Sequence, residues 1–282
     1  MRLFRDIDNT PQNKTLTWIF YILFALSGMA GLIYEVIWVR QFTQVLGASN
    51  YAVTIILSAF MAGLGLGAWL IGRNADRYGS RQLVRAYVLI ELGIGLYSIL
   101  LPMLLGWVEG VYVAFHQSYE PSLLVFNGFR LLLAALLLLV PTTLIGATLP
   151  VLSRYLIRRQ DRIAVSVSRL YAMNTLGGFL GTVLAGYYLL PNLGILQATG
   201  IAVGLNFLVA VVFWCINLTV DTQVNPANRA AVVLKKTDPG ITSLQKAVLA
   251  GFFLSGMAAM MYEVAWTRTL SLILGTTTFA FT

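Results

Sequence analysis

The sequence predicts an all-α integral membrane protein: six spanning helices, then the first helix of a second repeat. Three observations predict it. The 282 residues are 58% hydrophobic and only 11% charged, where soluble domains carry about a quarter charged residues. With mean hydropathy at +0.79, that much apolar surface cannot be hidden inside a soluble core of this size. The apolar runs are each long enough to cross ~30 Å of hydrocarbon. Finally, residues 26–54, LSGMAGLIYEVIWVRQFTQVLGASNYAVT, return at a constant offset as residues 254–282, LSGMAAMMYEVAWTRTLSLILGTTTFAFT. About half of these positions are identical, which makes this an internal repeat.

The net charge of +8 resembles a nucleic-acid signal until it is located. Sixteen of the nineteen Lys and Arg lie in the N-terminal tail, two inter-helix loops and one linker or, as Arg85, Arg169 and Lys246 do, within the first three residues of the helix that follows. That is the positive-inside distribution. It makes the lipid bilayer the expected partner, not nucleic acid. It also implies a multi-pass protein of a bacterial-type plasma (inner) membrane with a cytoplasmic N-terminus. The single cysteine, Cys215, forms no intrachain disulfide and offers no metal constellation.

Residues 1–17 read as a polar cytoplasmic tail with Arg2, Arg5 and Lys14, and residues 18–218 as a six-helix bundle. The first helix covers 16–40. A cleaved signal peptide is the rival reading, because Ala25 and Ser27 have the small-residue spacing of a cleavage site. Against it, the second copy of this segment lies deep in the chain. The second helix, 51–71, contains Gly63, Gly65 and Gly67. No strand precedes them, so they read as a surface for close helix approach and not as a phosphate loop. The third helix, 83–108, holds Glu91, with Pro102 near its outer end. Residues 109–121, with Glu109, His116 and Glu120 but no Lys or Arg, read as an outer loop. His116 has no partners at ligand spacing. The fourth helix, 123–149, carries Arg130 and a candidate kink at Pro141. Arg154, Arg158, Arg159 and Arg162 follow on the inner side. In the fifth helix, 168–190, Asn174, Gly177, Gly178, Gly181 and Gly186 form a small-residue face. A short turn at 191–194 leads to the sixth, 195–218. A polar linker, 219–243, precedes residues 244–282, the opening helix of the second repeat.

The loop 72–81, GRNADRYGSR, is the most diagnostic short motif. Gly72 and Gly79 permit a tight turn. Asp76 can accept hydrogen bonds from helix N-termini or from Arg77, and the arginines, Arg81 among them, hold this side in the cytoplasm. Its order matches the G-x-x-x-D-R-x-G-x-R signature of the major facilitator superfamily; an ordinary basic turn is the alternative. Six helices, a linker and a restarted first helix resemble a two-half facilitator. The fold class is therefore a six-helix major-facilitator-like half bundle plus the first helix of a second repeat.

Ser27, Gly28, Tyr34, Glu35, Trp38, Arg40 and Gly47 recur as Ser255, Gly256, Tyr262, Glu263, Trp266, Arg268 and Gly275. This repeated S-G-x-x-x-x-x-Y-E-x-x-W-x-R with a later L-G resembles the membrane region of fused facilitator/spermidine synthase-like proteins. The stretch 168–181, SRLYAMNTLGGFLG, resembles it too. The resemblance implies membrane helices ahead of a soluble domain related to polyamine aminopropyltransferases. Such a domain transfers an aminopropyl group to putrescine, with decarboxylated S-adenosylmethionine as co-substrate. Residues 1–282 contain neither the strand and glycine loop of a nucleoside site nor a soluble aspartate pair to bind and deprotonate a diamine. No catalytic residue, metal site or cofactor is therefore expected in this chain. The sequence reads as truncated, its expected partners being its own second repeat and a downstream soluble domain.

Glu35, Arg40, Glu91, Arg130, Glu263 and Arg268 lie within or at the ends of apolar helices. An unpaired charge at mid-bilayer costs about 3 kcal/mol on insertion scales, so these residues should face the interior, pair or snorkel. In facilitator halves the first and fourth helices line a central cavity, and that resemblance suggests a Glu35–Arg130 pair there. Glu91 has no obvious partner. Tyr34 and Trp38, four apart, share the face of Glu35 and would suit a polycation through charge and cation–π contact. The bland reading is a buried pair that fixes helix packing, with Tyr34 and Trp38 as interfacial anchors. Three functions remain open. The chain is the membrane region of an aminopropyltransferase fusion, anchoring and in one version supplying a cytoplasmic enzyme. Or it is a facilitator-type transporter of a small solute, cationic in one version, or an assembly module without transport.

Overall fold

Each apolar run of the sequence forms a helix, and most of the helices are longer than the runs. The computed structural model describes residues 11–47, 50–74, 78–156, 163–219 and 242–274. The helices are α1 (Pro11–Leu46), α2 (Asn50–Asn74), α3 (Ser80–Tyr119), α4 (Leu123–Leu156), α5 (Ile163–Leu184), α6 (Leu190–Thr219) and α7 (Ser243–Leu274). A π-helical turn, Ala185–Leu189, joins α5 to α6. Among the described residues there is no strand. Among the described residues six helical stretches are long and apolar enough to cross a membrane, and the chain is a multi-pass membrane protein.

One of those stretches, Val167–Ile216, is 50 residues long, roughly 75 Å if straight. It is not straight. Gly194 sits at φ 75 and ψ 179, outside helical geometry and open to glycine for want of a Cβ. The break falls in the expected 191–194 turn, and α5 and α6 each pack along α1.

The stretch read as an outer loop, 109–121, is a correction: α3 continues unbroken to Tyr119. The polar Glu109 and His116 do not stop it, because aromatic residues hold the extension against the start of α4. The Phe115 and Phe129 rings lie 4.5 Å apart, Tyr112 and Phe126 5.7 Å, and His116 and Phe126 4.8 Å. At 40 residues, α3 is about 60 Å long, twice the hydrocarbon thickness. It ends at Glu120, which is left-handed at φ 43 and donates its N–H to the His116 carbonyl at 3.0 Å.

Contacts divide the described residues into two units, one holding α1 to α6 and the other α7. In the first unit, α1 packs on α5 and α6, α2 on α4, and α3 on α4 and α6. Two of these pairings are backbone-close. A Cβ on Gly177 would collide with the Ala25 carbonyl of α1, and one on Gly181 with that of Met29. A Cβ on Gly28 would meet the Asn174 carbonyl of α5 in return. Between α2 and α4, Gly63 faces the Thr142 side chain, Gly67 the Thr143 carbonyl, and Gly146 the Leu64 carbonyl. Small residues let helices approach where lipid provides no hydrophobic drive for association. Gly65 meets nothing within 4 Å, so two of the three glycines of the GLGLG run perform the packing.

The polarity of α3 is inverted relative to a soluble helix. Leu89, Leu92, Leu96, Ile99, Met103 and Trp107 are exposed, whereas Glu91 and Ser98 are buried. An apolar outer face with polar groups inside suits a helix solvated by lipid tails.

Pro141 lies inside α4. Lacking an N–H, it leaves the Leu137 carbonyl without its helical donor. The Tyr97 hydroxyl of α3 donates to that carbonyl at 2.7 Å. Tyr97→Phe should therefore cost about 1–3 kcal/mol, read as a lower thermal midpoint of the purified protein. In a Pro141→Ala background, where the internal bond is restored, the penalty should shrink to near zero. Equal penalties in the two backgrounds would refute the assignment.

Candidate functional site

Ser27 and Tyr34 are seven residues apart and so share one face of α1. On α3, Tyr87 and Glu91 are four apart and share a face in the same way. These faces meet Asn206 of α6. The Ser27 hydroxyl donates to Glu91 Oε1 at 2.6 Å, and Asn206 Nδ2 donates to Oε2 at 2.6 Å. The Tyr34 hydroxyl donates to Asn206 Oδ1 at 2.9 Å. Three helices are thus joined through one carboxyl and one amide. Glu91 is 0% exposed, and Ser27, Tyr34, Tyr87 and Asn206 are buried with it. The Tyr87 hydroxyl lies beside the carboxyl and Ser27 but has no hydrogen-bond partner. Ser98 lies beside Tyr34 and donates to the Ile94 carbonyl of its own helix at 2.7 Å. Among the described residues no cationic side chain pairs with Glu91.

The residues singled out from sequence fall in several places. Tyr34 and Trp38 are both fully buried, with rings stacked at 5.1 Å and 14°. Trp38 meets Phe60 of α2 at 6.2 Å, and its Nε1 has no hydrogen-bond partner. Burial removes the interfacial-anchor reading for this pair. Glu35 is buried as well, at 8% exposure. Arg130 is half-buried on α4, its guanidinium 6.0 Å from the Tyr112 ring centroid and 5.7 Å from that of Phe126. Its Nε has no hydrogen-bond partner. Glu263 is half-buried in α7, between the exposed Tyr262 and Trp266, whose rings lie 5.7 Å apart.

In the 72–81 motif, Asp76 and Arg77 lie outside the described residues. Gly72 faces open space. Gly79 starts α3: its N–H donates to Gln82 Oε1 at 2.7 Å, and its carbonyl accepts from the Leu83 N–H at 2.9 Å. Arg81 is exposed in the first turn. Gly47, the glycine of the recurring L-G, has φ 80. It ends α1 in the left-handed conformation that glycine favours at helix C-termini. The Val45 carbonyl, one of those a helix end leaves over, accepts from the Tyr112 hydroxyl at 3.4 Å.

Sequence reasoning missed Asn206 and Tyr87 and left Glu91 without partners. One available signal was Asn206 itself, a lone amide in the apolar run 200–214, GIAVGLNFLVAVVFW. Such a residue inside a membrane helix needs a partner on another helix. Glu91→Leu leaves Ser27 and Asn206 without their acceptor, and each buried donor so left costs about 1–3 kcal/mol. Thermal unfolding in detergent should show a clear loss for Glu91→Leu and a smaller one for Glu91→Gln, which keeps one acceptor oxygen. An unaltered midpoint for the leucine variant would contradict the network.

No protein-family model matches the chain, and no solved structure matches it. It is similar to a protein named polyamine aminopropyltransferase from Leptospira interrogans, 25% identical over 215 residues, which is 76% of this chain and 37% of that protein. Polyamine aminopropyltransferase 1 of Ralstonia nicotianae is 28% identical over 200 residues, 71% of this chain and 34% of the relative. Polyamine aminopropyltransferase 2 of the same organism is 30% identical over 175 residues, 62% and 31% respectively. The chain spans about a third of the length of the curated relatives it matches, and it is related in sequence to proteins named polyamine aminopropyltransferases.

Proposed function

We propose that the chain is the membrane region of a spermidine synthase-like fusion protein, holding a cytoplasmic aminopropyltransferase domain at the bilayer. One observation carries this reading. A match of 215 residues in a chain of 282 contains residues 68–215 wherever it begins. Every described residue of that stretch outside its short turns is helical, and its helices are of membrane length. What the chain shares with the aminopropyltransferase relatives is thus a helical membrane region, and about two thirds of each relative lies outside the match. In this reading the catalytic groups and decarboxylated S-adenosylmethionine belong to that remainder. The six helices of the first unit form a facilitator-like half bundle, its arginine-rich loops facing the cytoplasm of a bacterial inner membrane. The linker and α7 lead into the second repeat.

Residues 1–282 expressed alone should sediment with membranes, resist alkaline extraction and show no aminopropyl transfer from decarboxylated S-adenosylmethionine to putrescine. The same residues joined to the downstream reading frame should show that transfer in the membrane fraction. Transfer by residues 1–282 alone, or a downstream frame without transferase activity, would remove the anchoring reading.

A second reading is favoured by the burial of Glu35 beside Tyr34 and Trp38, with Trp38 Nε1 left without a partner. In it the chain is a facilitator-type transporter of a small cationic solute, and Glu35 and Arg130 are the charges of the pathway. Glu35→Gln should then reduce uptake of radiolabelled putrescine or spermidine at least tenfold while expression is maintained. Unchanged uptake ends this reading.

A further inference from the structure

We propose that Glu91 is a reversible proton-binding site, with Ser27, Tyr34, Tyr87, Ser98 and Asn206 arranged to serve the carboxyl in both of its charge states. The proposal does not depend on whether the chain anchors an enzyme or moves a solute. A bare carboxylate inside a lipid-immersed bundle is costly unless something neutralises it. Among the described residues no cation pairs with Glu91. Both carboxyl oxygens are already engaged at 2.6 Å, and a proton needs no additional volume there. The titratable groups facing Glu91 are Tyr34 from α1 and Tyr87 from α3 itself. The element α6 presents the neutral Asn206, and among the described residues α4 contributes none.

The polar groups around the carboxyl fit two states. In the ionised state Ser27 and Asn206 donate to it as observed. The Tyr87 hydroxyl, buried beside it without a partner, turns to give a third hydrogen bond. In the neutral state the Asn206 amide rotates half a turn, and its Oδ1 accepts from the carboxyl O–H. Nδ2 then donates to the Tyr34 oxygen, and the Tyr34 hydroxyl turns to Ser98 beside it. An amide can play both parts because it carries a donor and an acceptor. On release the carboxyl O–H bond breaks, its electron pair stays on oxygen, and the proton passes to water that reaches the cluster when the helices part, because Glu91 is fully buried in the closed bundle; uptake is the reverse. The change is felt on α1, α3 and α6 together, because each contributes a group to the cluster.

Infrared spectra of the whole chain in lipid bilayers, recorded across a pH series in H2O and D2O, test this. A neutral-carboxyl stretch that shifts on deuteration and is replaced by carboxylate absorption at higher pH is expected. Glu91→Gln should lose it, while Glu35→Gln and Glu263→Gln should retain it. Absence of a titrating neutral-carboxyl band from the parent protein overturns the proposal, as does its survival in Glu91→Gln. If Glu91→Gln fails to fold, Asn206→Leu decides: loss of the amide acceptor should move the band to higher frequency, and an unmoved band overturns the proposal.

Discussion

The carboxyl of Glu91, sealed from solvent, depends for its hydrogen bonds on donors brought by other helices. Ser27 comes from α1 and Asn206 from α6, and Asn206 is itself held by Tyr34 two turns along α1. Sliding α1 by one residue would turn its face by about 100° and remove Ser27 and Tyr34 from the cluster together. The cluster therefore fixes the rotation and the height of α1 against α3 and α6. Apolar packing is less exacting, because methyl groups accept several registers and a buried donor does not.

Lipid changes which interactions can perform this task. Hydrocarbon outside the bundle is as apolar as leucine inside it, so burying Leu gives little reason for two helices to meet. The chain relies on close backbone approach and on polar groups instead. Gly28, Gly177 and Gly181 bring α1 and α5 together, and Gly63, Gly67 and Gly146 do the same for α2 and α4. Tyr97 supports the proline break of α4 from α3. Each device is local, and each fails if the facing residue moves by one position, which makes the arrangement specific without a hydrophobic core of the soluble kind.

Much of this was legible in the sequence, and the part that was not has a physical cause. The apolar runs, the Gly63 and Gly67 contact and the glycine face of α5 follow from length and spacing along one helix. The partners of Glu91 do not. Ser27 is 64 residues away and Asn206 is 115 away, and no periodicity within a helix reveals which of its faces meets another. Residues 109–119 were misread because polarity was weighed as loop chemistry, whereas the aromatic contacts with α4 hold them helical. At the other end of the bundle, Gly194 was legible as a turn, but the π-helical Ala185–Leu189 before it leaves no clear mark in composition.

The repeat acquires a different meaning once α1 is seen in its surroundings. Its identical residues first suggest chemistry, since a glutamate among aromatics resembles a cation site. In α1, however, Ser27 meets Glu91, Gly28 meets the Asn174 backbone, Tyr34 meets Asn206, Trp38 stacks on Tyr34, and Gly47 closes the helix. Five of the seven repeated residues thus have a role in joining or ending helices. In α7 the counterparts Ser255, Tyr262 and Trp266 are exposed, and Gly256 has nothing within 4 Å of where its Cβ would be. In α1 most of the repeated motif thus serves packing, and the chemistry of the bundle is better sought in Glu91, which lies outside the repeat and gathers donors from two other helices.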